Sequence, residues 1–176
     1  MLYTAPYITC YFVFLALLLG ACMGSFLNCV AWRIVHNEPV SKGRSHCDVC
    51  GHVLGIGDLI PIAGYLAHRG RCRYCGVRLS AVHVIAEAVS AVLFAAVLLK
   101  FDISLQALEY LIFVCLLLVC SFADLEGRII PDRFIISGLL VRAAFFVILN
   151  DPAKVALDDL IGGIGIAGLL LIVVLV

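Results

Sequence analysis

The chain has 176 residues, 64% of them hydrophobic and only 14% charged, with a mean hydropathy of +1.16 and a formal net charge of zero. Soluble domains run about 45–50% apolar and about 25% charged, so these charges are too few to cover a soluble protein. The neutral balance gives no electrostatic footprint for a nucleic-acid partner.

Residues 1–32 hold no charged side chain, so the basic start of a secretion signal is missing. The first apolar run, residues 7–30, reads as a retained membrane span, since a span needs about 20 apolar residues. Further spans are expected over residues 81–99, interrupted by His83 and Glu87, and over residues 105–123, with Glu109 near the start. A short fourth covers residues 134–149 and contains Arg142, and a fifth starts near Leu160 and is still apolar at Val176. The closing LLLIVVLV is mid-membrane in character, which leads us to expect a chain truncated within a span. Helices are the expected form, because alternating strand patterns are absent and backbone in lipid must bond internally. The fold expected is therefore an all-α polytopic bundle of about five spans. It divides into a first span (1–31), a loop (32–80) and a second membrane region (81–176).

The loop carries Arg33, Lys42, Arg44, Arg69, Arg71, Arg73 and Arg78, and the 124–133 connection carries Arg128 and Arg133. The opposite connections hold only Lys100 and Lys154. The positive-inside rule puts the loop and the 124–133 turn in the cytoplasm.

Within the loop, CDVCGHVL (47–54) and CRYCGVRL (72–79) repeat the pattern C-x-x-C-G-x-x-L. Cys47, Cys50, Cys72 and Cys75 thus form C-x₂-C-x₂₁-C-x₂-C. Two sulfurs so spaced chelate one ion when the backbone turns between them, and Gly51 and Gly76 permit that turn. The pattern reads as a closed, structural Cys₄ zinc site. Two disulfides are the alternative, disfavoured in a reducing compartment, and His46 or His52 could stand in for a cysteine. The other five cysteines lie in apolar spans and read as small buried hydrophobes.

The third span ends in FADLEGRIIPDRF, placing Asp124 and Asp132 at the ends of two spans. Pro131 fits the start of the fourth span. These carboxylates serve either as interfacial anchors, with Asp132 at a helix N-terminus, or in catalysis, which needs a pair: one acid and one base acting on water. Glu87, Glu109 and Arg142 are candidates by the cost of placing charge in lipid.

Laid out in order, GSFLNCVAWR (24–33), SHCDVCGHVL (45–54), DLIPIAGYLAHRGRCRYCG (58–76), VIAEAVSAVLF (84–94) and DLEGRIIPD (124–132) make the chain resemble the bacterial prepilin peptidase family. The resemblance implies an inner-membrane aspartic protease. It would cut the leader of type IV prepilins and type II secretion pseudopilins at the cytoplasmic face. Many members also methylate the new N-terminus with S-adenosylmethionine. It implies zinc on Cys47, Cys50, Cys72 and Cys75, and a catalytic role for Asp124, the leading acid of D-x₆-P-D. The family's second aspartate lies in a GxGD motif, which this sequence does not contain; Gly162, Gly163, Gly165 and Gly168 are followed by no acid. Asp158 and Asp159 are expected at the opposite membrane face from Asp124. A membrane scaffold with a structural zinc loop is the alternative reading.

Overall fold

Pro6 opens a helix that meets no breaker for thirty residues: α1 runs Pro6–Val35. In the computed structural model, which describes residues 6–40, 45–47 and 49–148, the chain continues through a 3₁₀ turn at Ile56–Leu59 and α2 at Ala63–Ala67. The long helices α3 (Val82–Phe101), α4 (Leu105–Gly127) and α5 (Asp132–Ile148) come next. No strand occurs among the described residues, only isolated bridges at His46–Val53 and Arg71–Arg78. The chain divides into two compact units, Met1–Ile136 and Ser137–Val176. The first contains the cysteine loop and helices α1 to α4.

Helices α1, α3 and α4 are long and apolar enough to cross a membrane. Only 22–33% of the most apolar stretch of each is buried within the protein. Large apolar side chains such as Val92 and Leu117 point outward, 62% and 59% exposed. A soluble bundle hides such surface, whereas lipid accepts it. The protein is therefore an integral membrane protein of all-α class. The expected fourth span is α5, whose 17 residues reach only about 25 Å. The expected fifth span, with Asp158 and Asp159, lies outside the described residues.

α1 extends one turn beyond the span read from sequence. Its 30 residues make about 45 Å against a hydrocarbon core of about 30 Å, so its last turns stand clear of lipid. It stops for backbone reasons: Asn37 takes φ 55°, and the amides of Asn37 and Glu38 cap the carbonyls of Ile34 and Arg33. This is the Schellman arrangement, followed by Pro39. Ser104 caps α4, its hydroxyl accepting from the Ala107 amide at 3.1 Å. Arg128, at φ 52°, ends that helix.

Close contact sets the bundle. A Cβ on Gly20 would lie 2.7 Å from Ala91 Cα, and one on Gly24 would lie 2.5 Å from Ser90 Oγ. α1 and α3 thus meet backbone to backbone, as small residues allow in membranes. Leu27, Val30 and Ala31 of α1, Ala86 of α3 and Leu118, Val119, Phe122 and Ala123 of α4 form the core. Gly127 abuts Val35, so the end of α4 lies beside the end of α1, at the same end of the bundle as the start of α3.

Candidate functional site: a four-cysteine cluster and the cavity beside it

The sequence repeat folds as a structural repeat. In each knuckle the first cysteine's amide donates to the carbonyl five residues on, Cys47 to His52 at 3.0 Å and Cys72 to Val77 at 2.8 Å. The glycine amide returns to that cysteine's carbonyl, Gly51 to Cys47 at 2.8 Å and Gly76 to Cys72 at 2.9 Å. Gly51 and Gly76 sit at φ +67° and +71°, where a side chain would be strained. Each repeat closes with its leucine amide on the carbonyl two residues before the first cysteine: Leu54 to Ser45, Leu79 to Gly70, both 2.8 Å. His52 stacks on Tyr74, ring centroids 3.6 Å apart, joining the knuckles.

The four sulfurs of Cys47, Cys50, Cys72 and Cys75 lie within 4.8 Å of one another, and Cys47 Sγ is 3.9 Å from Cys75 Sγ. A tetrahedral ion with metal–sulfur bonds of about 2.3 Å has edges of about 3.8 Å, so the cluster has the size to hold a metal ion. The cysteines are free thiols, not disulfides. Amides of Cys75 and Tyr74 bring the Cys72 thiol down to about 7. Cys75 is lowered by the Val77 amide, yet burial and the neighbouring thiols push it up to about 11. Crowded thiols that resist sharing negative charge are what a bound cation relieves. His46 and His52 are not members of the cluster.

Between this segment and the helix ends lies a cavity of about 220 Å³. Ser25, Asn28, Cys29 and Trp32 line it from one face of α1, and His83 and Glu87, one helical turn apart, line it from α3. Asn28 Nδ2 and His83 Nδ1 lie within hydrogen-bond distance, at 2.7 Å, joining α1 to α3. Glu87, buried, accepts from the Ile62 amide at 2.6 Å and so ties the segment to α3. From the segment come Asp58 and His68: Asp58 Oδ2 accepts from the Gly55 amide at 3.0 Å, and Oδ1 lies 3.1 Å from His68 Nε2. That pair is close enough for attraction, but Oδ1 is fully buried without an aligned hydrogen bond.

Of the candidates read from sequence, the four cysteines come together. Glu87 and Glu109 are both buried, Glu87 at the cavity end of the bundle and Glu109 in the opening turns of α4. Arg142 is half-buried on α5. Asp124 stands at the same end as the cavity but does not line it; it is exposed, with Leu117 and Ser121 on one face of α4. Asp132 is exposed in the first turn of α5. Sequence reasoning does not single out the cavity residues Asp58, His68 and His83. A signal was present in His83 and Glu87, polar residues at helical spacing in an apolar span.

Residues 18–101 match the family model "Bacterial Peptidase A24 N-terminal domain". The chain is 38% identical over 126 residues to a prepilin leader peptidase/N-methyltransferase of Myxococcus xanthus, covering 72% of this chain and 38% of that one. It is 36% identical over 125 residues to its namesake in Bacillus subtilis, covering 71% and 50%. With that of Pseudomonas putida it shares 32% identity over 151 residues, covering 73% and 52%. The chain thus spans between 38% and 52% of the length of these curated relatives. No solved structure matches it.

Proposed function

We propose that this chain, which belongs to the bacterial prepilin peptidase family and carries its N-terminal domain over residues 18–101, acts as a membrane aspartic endopeptidase on type IV prepilins or type II secretion pseudopilins. In this reading Asp124 supplies one carboxylate of the catalytic pair. The observation that carries it is the placement of Asp124: exposed, at the end of a span, on a helix face that α1 and α3 leave open. A hydrophobic stem lying in the bilayer would bring its basic leader to that level. The arginine-rich segments at this end support a cytoplasmic face for it by the positive-inside rule. One carboxylate, ionised, takes a proton from water as the water attacks the scissile carbonyl; the other, protonated, gives a proton to the departing amide nitrogen. In this reading the second carboxylate belongs to the GxGD segment that the family resemblance implies.

Two further assignments belong to the same proposal. The cysteine cluster holds zinc as a structural ion, since four thiolates leave no open position for a reacting water. The protein also N-methylates the new terminus with S-adenosylmethionine; the relatives' names, which include N-methyltransferase, support this part of the reading.

The test is cleavage of a prepilin by membranes carrying the protein expressed from its full natural reading frame. Asp124→Asn is expected to lower the rate by at least about 100-fold, the usual scale for an acid–base group, while zinc content stays unchanged. Undiminished cleavage in that variant overturns the assignment.

A further inference from the structure

The stretch between the two knuckles does not stay beyond the ends of the helices. Leu59 and Pro61 line a groove of about 400 Å³ together with Cys22, Ser25 and Phe26 of α1. Phe26 lies nine residues, or about 14 Å, before the last residue of that helix, inside its apolar run. On the other side the Ile62 amide is bonded to Glu87, five residues, or about 7–8 Å, into α3. The tip of this stretch, residues 59–62, therefore lies at the level of the membrane helices.

The surface it shows there is apolar. Leu59 and Ile60 are 43% and 52% exposed, and Phe26 of α1 is 59% exposed. Such a patch is unfavourable in water; continuous with the outward face of a span, it is surface that acyl chains cover. Lipid offers an irregular backbone no hydrogen-bond partners, so a stretch that enters it must bond its own polar groups. At this tip Pro61 has no amide proton, and the Ile62 amide donates to Glu87. The Ala63 amide donates to the Pro61 carbonyl and the Gly64 amide to the Ile60 carbonyl. Charge is kept off the tip as well. Asp58, the sole acid of residues 55–80, turns inward with its side chain 9% exposed, 3.1 Å from His68. The same residues carry Arg69, Arg71, Arg73 and Arg78, all exposed, a balance that favours an anionic leaflet. Arg33 lines the groove two helical turns nearer the end of α1 than Phe26, where headgroups follow acyl chains.

We infer that residues 59–61 are a membrane-inserted tip. Leu59 and Ile60 sit among the acyl chains of the leaflet at this end of the bundle, and phospholipid fills the groove beside Phe26. The inference rests on the membrane spans and is independent of both proposed activities. It gives the cysteine segment a second attachment besides the Glu87 bond, so that the metal cluster is held at a fixed height over the bilayer.

The test needs no substitution at first. The protein, metal-loaded and expressed from its full natural reading frame, is reconstituted in vesicles of phosphatidylethanolamine and phosphatidylglycerol. The vesicles carry a trace of phospholipid with a photoactivatable diazirine on its acyl chain. After illumination, mass spectrometry maps the lipid adducts. Adducts are expected on Leu59 and Ile60 as on Phe26, and none on Val49, which is 69% exposed on the first knuckle. Ile60→Asp is expected to lose the adducts at 59 and 60 while Phe26 keeps its own and zinc content is unchanged. If that variant loses its metal, the native map decides alone. A native protein without adducts at 59 and 60 overturns the inference, whether water or a second polypeptide covers the tip. So does Val49 labelled as strongly as Ile60, or a metal-loaded Ile60→Asp labelled like the native chain.

Discussion

Ile62 sits at φ 61° and ψ −50°, the centre of a γ-turn closed by the Ala63 amide on the Pro61 carbonyl. This geometry is strained for any L-residue and more so for a β-branched one. What holds it is Glu87, whose carboxylate takes the Ile62 amide at 2.6 Å. The glutamate thus has a structural role, because one charge-assisted bond fastens the segment between the two knuckles to the second membrane helix. Glu87→Ala should destabilise the protein by about 1.5–3 kcal/mol, since a carboxylate acceptor is lost from a partly buried amide. Glu87→Gln should cost about half of that, because its amide oxygen still accepts. Thermal unfolding in detergent and protease cleavage within residues 56–67 measure both, and equal effects of the two substitutions would refute the anchor. Sequence alone marked Glu87 as costly in a membrane but gave no partner, because Ile62 is 25 positions away and nothing in the chain announces a γ-turn there.

Among the elements, the long helices were legible because apolar runs of this length have few alternatives in lipid. The knuckles were legible because the cysteine–glycine repeat encodes the same three backbone bonds twice. α1 runs past the apolar span for a physical reason: a charge such as Arg33 ends a hydrophobic run, but a helix ends only where its backbone is capped, here at Asn37. The pairing of α1 with α3 was also hidden, since Gly20 and Gly24 look like ordinary small residues until Ser90 and Ala91 are seen against them. That pairing is testable by volume. Gly20→Ala drives a methyl to 2.7 Å from the Ala91 Cα and the Ser90 carbonyl, both backbone atoms that move only if a helix moves. A loss of about 1–3 kcal/mol is expected, read as a lower unfolding temperature in detergent. Gly57→Ala is the control: a Cβ there meets nothing within 4 Å and the backbone needs no positive φ, so a change within about 0.5 kcal/mol is expected. Equal destabilisation at both positions would mean that α1 and α3 do not pack as described.

At the scale of the whole molecule, two kinds of cohesion meet at one end of the bundle. The helices hold one another through Leu27, Ala31, Ala86, Val119 and Ala123. The described residues of the cysteine segment are joined by short helices, the His52–Tyr74 ring contact, the Asp58–His68 pair, the Trp32–His46 ring contact, the Glu87 anchor and their own backbone turns. Its buried side chains include Cys47 and Cys72 themselves, so much of its interior is the cluster. Metal binding to such a segment is folding free energy, on the order of 10 kcal/mol for a small zinc-dependent unit. Elemental analysis should find one zinc per chain. Removing it with a chelator, or substituting Cys72→Ser, should loosen residues 45–80 while α1, α3 and α4 stay paired, because no core residue of the bundle comes from the segment. Hydrogen exchange resolves the two regions. Acid should act like the chelator. In the metal-free chain burial and the neighbouring thiols push Cys75 up to about 11, so it holds its proton at neutral pH, whereas backbone amides lower Cys72, which gives its proton up more readily. Each proton must leave before its sulfur binds, so apparent metal affinity rises with pH and falls as pH drops below neutrality. If exchange in α1 and α3 rose together with that in residues 45–80 on chelation, the segment would be part of the bundle's core and not a cap fastened to it.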